Sequence, residues 1–435
     1  MDVSDPVNPQ LIGGALVDHA DDAQAVALSP DGRTLATSAA DWRVRLWDIG
    51  DPGRLPLLPS TIRGSAGDEG LVTFLDGHTL VISGRSGVGV WDVEDPHHPH
   101  EVGSTPSPRP APVGASSSSS QAGTLAIVHP DGSEATVQLW DVDGSRLPGT
   151  VGEPLTGVVD PAVLSPDGQI LAASTSSGVG LWDLTSPDDP RPVGDVPTDV
   201  FYTRTRTMAF SPTGDLLLVG SDEGDGPARV SLWDVTDPRE PRGVSGPLTD
   251  EATKYVDALT FAPDGKTLAV SGRLFDGTAT VSLWDMRDPR APRRLSEHTI
   301  TGEPDVVLGS LAFSPDGRTL AAGATPVGKK ADTDGTVSVW DVADPTNPHR
   351  LGIPLTGNAG RVTSLAFAPD GATLVAGSAG RTGRQGVVRF WDVTDLVHLR
   401  RHLVPTACDQ AGGLSREDWE RYVPEVPFAA PCGGS

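Results

Sequence analysis

The chain has 435 residues, and it is poor in several residue types whose scarcity is informative. There are two cysteines, three methionines and three tyrosines. Two cysteines exclude a disulfide-dense scaffold and a thiolate zinc cluster. Both lie near the end of the chain, at Cys408 and Cys432. Two readings of them stay open: a bridge pinning the tail, or two thiols kept reduced in a cytoplasmic compartment. No apolar run approaches the roughly 18 residues of a membrane span. The acidic N-terminus lacks the apolar core of a signal peptide. The expectation is therefore a cytoplasmic protein without membrane contact. Positive charge is scarce as well. Lysine and arginine total 33 against 58 acidic residues, a formal net charge of −25, and only four of the basic residues are lysine. So acidic a surface repels phosphate, which argues against nucleic acid and favours solubility or a basic partner.

Catalytic signatures are also missing. There is no Gly-x-Ser-x-Gly elbow, no His-Glu-x-x-His and no paired cysteine with metal spacing. Gly323 to Lys330 matches most of a phosphate loop. Lys330, however, stands where a Ser or Thr would hold Mg²⁺, and a turn and strand follow where a helix is needed. It reads as a loop between strands. His97-His98-Pro99-His100 lacks carboxylate or thiolate companions. Asp222 to Gly226 and Asp332 to Gly335 lack the oxygen set that calcium requires and read as turns. The expectation is no metal, no cofactor and no enzymatic activity. Arg204, Arg206, Arg293, Arg294, Arg381, Arg384, Arg400 and Arg401 form small basic spots, read as solvated loop charges.

What is abundant is punctuation: 51 glycines and 40 prolines, with ten tryptophans. Eight of the tryptophans precede aspartate: Trp47, Trp91, Trp140, Trp182, Trp233, Trp284, Trp340 and Trp391. Their mean spacing is about 49 residues, a period in the range of propeller blades. Each unit reads as an apolar strand, a turn, a second strand, a small-residue hairpin, and a third strand ending in Trp-Asp. The first turn recurs as Ser29 to Gly32, Ser165 to Gly168, Ser211 to Gly214, Ala262 to Gly265, Ser314 to Gly317 and Ala368 to Gly371. Proline there fixes φ and glycine accepts positive φ, so the pattern is an antiparallel meander. A fourth strand follows behind Asp51-Pro52, Asp95-Pro96, Asp237-Pro238, Asp288-Pro289 and Asp344-Pro345. Proline tolerates only an edge, which is where the outermost strand of a blade lies. Unit three is eroded, with Ser116 to Ser120 in place of an apolar first strand, and is read as a weak strand.

These units resemble the WD-repeat β-propeller family, over residues 1–404. The resemblance implies an all-β fold of four-stranded blades, eight in number, or seven with an extra unit. It also implies a hydrogen-bonded structural tetrad, which unit one matches with His19, Thr37, Asp41 and Trp47. The other units lack the histidine, so their tryptophans are expected to be held by packing. Such propellers imply a non-enzymatic, monomeric scaffold for protein partners. The expected binding surface is the face built by second-to-third-strand hairpins and outer-to-inner connections. A propeller hydrolase with a discontinuous channel site is the least favoured alternative.

The ends leave alternatives open. Met1 to Pro9 parallels Trp340 to Pro348, so residues 1–18 read as an outer-strand fragment without its own blade. It either closes the ring or marks the chain as part of a longer array. Residues 405–435 read as a tail with a short helix starting at Ser415, supported by a capping pair with Asp418. The tail resembles those of actinobacterial WD-repeat proteins, in which the propeller often follows a STAND-type NTPase. That resemblance implies an alternative role as the sensor module of a larger effector.

Overall fold

The computed structural model describes strands and turns between residues 23 and 393. Residues 1–22, 394–435 and intervening loops, the longest being 49–56, 63–70, 107–115, 143–148, 198–203 and 380–386, fall outside the description. Cys408, Cys432, the fragment 1–18 and the tail therefore lie outside the described residues, as do His19 and Asp41.

The described residues form antiparallel strands in repeating groups. Unit one is β1 (Ala23–Leu28), β2 (Thr34–Ala39), β3 (Arg43–Asp48) and β4 (Leu57–Ile62). Unit two is β5 (Leu71–Phe74), β6 (Thr79–Gly84), β7 (Gly87–Asp92) and β8 (His100–Pro106). Units three and four share one sheet of β9 (Ser116–Ser119), β10 (Thr124–Asp131), β11 (Glu134–Asp141), β12 (Gly149–Leu164), β13 (Ile170–Thr175), β14 (Gly178–Asp183) and β15 (Arg191–Pro197). Unit five is β16 (Arg204–Phe210), β17 (Leu216–Asp222), β18 (Arg229–Asp234) and β19 (Arg242–Gly243). Unit six is β20 (Thr253–Phe261), β21 (Thr267–Leu274), β22 (Thr278–Asp285), with a split outer edge of β23 (Arg293–Arg294) and β24 (Ile300–Pro304). Unit seven is β25 (Val306–Phe313), β26 (Thr319–Pro326), β27 (Thr336–Asp341) and β28 (His349–Leu355). Unit eight shows β29 (Arg361–Phe367), β30 (Thr373–Ala379) and β31 (Val387–Asp392).

Every Trp-Asp pair ends the third strand of its unit, as the period predicts. The serine-rich stretch of unit three does pair as a strand, with Ser116 to Ser119 opposite Ile127 to Thr124. The phosphate-loop-like stretch is partly strand, because β26 runs on through Pro326. One connection departs from the expected loop. The outer strand of unit three runs straight into the inner strand of unit four as the 16-residue β12. Val158 pairs with Ala135 on one side and Thr175 on the other.

The first strands of successive units pack side by side: β12 with β16, β16 with β20, β20 with β25 and β25 with β29. β29 then packs on β1, and β1 on β5, so the last described unit lies against the first. The turns repeat this circuit. In the first turn of unit one, Ser29 Oγ donates to Asp31 Oδ1 at 2.5 Å and accepts from the Thr34 amide at 3.0 Å. Gly32 adopts a φ of 70° that a side chain would resist. A Cβ placed on Gly32 would come 3.2 Å from Pro369 Cδ, in the turn of unit eight. Gly371 likewise abuts Pro315, Gly317 abuts Pro263, Gly265 abuts Pro212 and Gly214 abuts Pro166. Each of these five glycines thus rests on the turn proline of the preceding unit. Between neighbouring units, side chains such as Leu46, Leu80, Leu139, Leu171, Leu232 and Leu283 are fully buried in separate apolar clusters.

Candidate interaction surface

Each unit has two ends. One carries the Ser-Pro-Asp-Gly turns and the loops after Trp-Asp. The other, the hairpin end, carries the second-to-third-strand hairpins and the starts of the first strands.

At the hairpin end a regular irregularity shapes the first strands. Their pairing with the second strand skips Gln24, Arg206, Asp257, Gly309 and Thr363. In β12 it skips Asp160 and Pro161. Gln24, Asp160, Arg206, Asp257, Gly309 and Thr363 all stand five residues before the first residue of the turn. A bulge of this kind inserts an unpaired residue and re-aims its side chain. β20 has a second one, at Lys254.

Units five and six use these positions to build a cluster. Arg206 pairs with Asp222 at the end of β17. Arg273 at the end of β21 grips Asp257 with two hydrogen bonds, Nε to Oδ2 and Nη2 to Oδ1, both 3.1 Å. The Tyr255 ring sits among three cations: Arg273 at 4.5 Å, Lys254 at 5.5 Å and Arg206 at 5.8 Å from its centroid. Lys254 also lies 5.7 Å from the ring of Phe275. Cation–π contacts of this kind contribute on the order of 0.5–2 kcal/mol, most where water is excluded. Burial pushes the Asp257 carboxyl up, and the charge of Asp222 adds to that push, against the pull of Arg273. Asp222 is 7% exposed, and its Oδ1 has no hydrogen-bond partner among the described residues. At the rim, Phe275 is 52% exposed, the one large apolar side chain so placed among the described residues. The cluster is a fixed aromatic and charged ridge. It contains no nucleophile beside a base, and among the described residues no group of three or more His, Cys, Asp or Glu could hold a metal.

The sequence-marked residues fall as follows. Trp47 Nε1 donates to Thr37 Oγ1 at 3.0 Å across β2 and β3. The position of Thr37 is occupied elsewhere by Ile82, Ile127, Ala173, Val219, Val270, Ala322 and Ala376, none of which can accept a hydrogen bond. Trp233 and Trp284 turn instead to serines two residues earlier on their own strands, Ser231 at 2.9 Å and Ser282 at 3.1 Å. The buried Nε1 atoms of Trp91 and Trp140 have no partner among the described residues. Trp182 and Trp391 are buried, and Trp340 packs between units six and seven.

Five of the aspartates that follow these tryptophans share a job. Asp92, Asp183, Asp234, Asp285 and Asp341 each accept the amide two residues on. Each is also paired across the sheet with a basic residue eight positions later: His100, Arg191, Arg242, Arg293 and His349. His100 comes within 3.6 Å of Asp92, Arg293 within 3.5 Å of Asp285 and His349 within 3.7 Å of Asp341. Arg206 and Arg293, read from sequence as solvated charges, are thus ion-pair members. Spacing was the signal for the second of these. His97, His98, Lys329, Lys330, Arg381, Arg384, Arg400 and Arg401 lie outside the described residues.

Comparison with known proteins agrees with the repeats. The model of the WD40 family (WD domain, G-beta repeat) matches residues 13–48, 294–341 and 350–392. Protein groucho of Drosophila melanogaster is 26% identical over 190 residues, 44% of this chain. The match spans 23% of that protein's length. Among solved structures, the β-propeller domain of Myceliophteria thermophila Cps50 (Swd1) superposes with a TM-score of 0.53 at 17% identity. It covers 88% of this chain and 100% of that one. At such identity the likeness speaks for the fold alone, that of a β-propeller.

Proposed function

We propose that the chain is an eight-bladed, non-enzymatic platform for a protein partner in the cytoplasm. Its binding face is the hairpin end, centred on Phe275, Lys254 and Tyr255. Fold alone does not carry this reading, since propellers host unrelated functions. The supporting observation is the ridge itself. An exposed aromatic stands beside an aromatic clasped by three cations, while the other large apolar side chains among the described residues are covered. Tyr and Arg anchors with an apolar neighbour are the side chains that dominate protein interfaces.

The test is affinity capture from the native host with wild type and with a Phe275→Ala/Lys254→Glu variant. A protein retained by wild type and lost by the variant supports the reading. Equal capture by both removes the hairpin end as the binding face. The alternative, a sensor module of a larger STAND-type NTPase or other effector, rests on the tail resemblance. An immunoblot of the native polypeptide separates the two, because a band well above 45 kDa favours the module.

A further inference from the structure

The opposite end of the propeller carries a second feature, independent of the hairpin-end ridge. Between units four and five a groove of about 400 Å³ opens at the Ser-Pro-x-Gly turns. Its floor is aliphatic, with Ile170, Val193 and Val235, and its rim holds Asp167, Asp183 and Asp215. All three carboxylates are fixed through one oxygen. Asp167 Oδ1 accepts from Ser165 Oγ at 2.6 Å and from the Gln169 amide at 3.1 Å. Asp215 Oδ1 accepts from Ser211 Oγ at 2.8 Å and from Thr213 Oγ1. Asp183 Oδ1 accepts from the Thr185 amide at 2.8 Å. The second oxygens of Asp167 and Asp215 make no hydrogen bond among the described residues. Among the lining residues one cation, Arg239, reaches the groove, while Arg191, opposite Asp183 across the sheet, is engaged by Asp189.

We infer that this groove binds an extended basic segment of a protein partner, with arginine or lysine side chains alternating with aliphatic ones. The floor suits their aliphatic stems and the rim their charged heads. The carboxylates are held in place by their own turns, so they need not be ordered again on binding. Three lining carboxylates against one lining guanidinium, on a chain of net charge −25, select a cationic occupant and reject a phosphate-bearing one. Arg239 is the intramolecular competitor that the segment displaces from the rim.

The experiment is fluorescence anisotropy with a labelled hexapeptide of alternating arginine and leucine, and its glutamate–leucine counterpart as control. Saturable binding of the basic peptide alone is expected. Asp167→Asn/Asp215→Asn, which keeps the turn acceptors and removes the charge, should weaken it at least tenfold. Arg239→Ala should tighten it several-fold, a gain that misfolding cannot imitate. Asp264→Asn/Asp316→Asn, at the turn position of Asp167 in units six and seven, should leave it unchanged. Absence of saturable binding overturns the inference, as does equal weakening by both double variants, which would mean diffuse attraction to an acidic surface. Phe275→Ala/Lys254→Glu should not alter peptide binding, so failure of the hairpin-end reading and failure of this one are separately visible.

Discussion

Two tryptophans in the same structural position should respond oppositely to the same substitution. Trp47 is 3% exposed and its indole N–H bonds Thr37 at 3.0 Å. Trp140 is 0% exposed, and its N–H has no acceptor among the described residues. The reason is local, since Ile127 occupies the place of Thr37. Replacement by phenylalanine removes the same atoms at both sites, so the cavity contributions nearly cancel. At Trp47 a hydrogen bond worth about 1 kcal/mol is lost, and the Thr37 hydroxyl is left with one partner fewer. At Trp140 the change removes an unsatisfied buried donor, relieving about 1–3 kcal/mol. Trp47→Phe should therefore be less stable than Trp140→Phe by about 2–4 kcal/mol. Guanidinium unfolding followed by circular dichroism gives the comparison, from midpoints at an unchanged m-value. A midpoint for Trp140→Phe as low as that of Trp47→Phe would refute the reasoning.

Two further expectations concern the strand ends and the sheet interior. Asp285 receives Arg287 Nη2 at 2.6 Å and Arg293 at 3.5 Å, and the Arg287 hydrogen bonds hold its carboxyl well below the usual range. A depressed carboxyl contributes stability above its unfolded value near pH 4, and that contribution fades as pH falls through the folded value. Asp285→Asn should thus lower the melting temperature at pH 7, with the gap to wild type closing in acid. Both guanidinium groups are more than half exposed, so the effect should stay at or below about 1 kcal/mol. A gap that widens below pH 4 contradicts the assignment. Inside unit four, a Cβ on Gly180 would come 2.6 Å from Trp182 Cη2. Gly180→Ala should displace the indole and cost about 1–3 kcal/mol in chemical denaturation, whereas Gly149→Ala, with open space around it, should cost little.

The repeating frame was legible in the sequence because its signals are local. Trp-Asp closes each third strand, and Ser-Pro-Asp-Gly encodes a turn by φ preference alone. The hairpin-end cluster was not legible, because its members come from β16, β17, β20 and β21, and only the sheet register brings Arg206, Asp222, Tyr255 and Arg273 together. A signal for it does exist. A residue outside the apolar pattern stands five places before each described turn, as Arg206 and Asp257 do, and marks the bulge. The basic residue eight positions after Trp-Asp was equally readable, since a cross-strand partner of fixed register must recur at fixed spacing. The continuity of β12 had no such mark. Gly149, Gly152, Pro154, Gly157 and Pro161 are residue types that ordinarily interrupt a strand. The strand instead absorbs them through two irregularities against β11 and one against β13.

That continuity sets where the ring can be opened. Between most other neighbouring units lie residues that belong to no described strand, where new chain ends would sever no described ladder. Between units three and four there is no such stretch, because Val158 pairs with a strand of each unit at once. A circular permutant with its termini at Val158 would cut into two ladders at once. For hydrogen exchange the seven-stranded sheet should accordingly behave as one opening unit, twice the size of its neighbours, and be the segment of the propeller that gives way last.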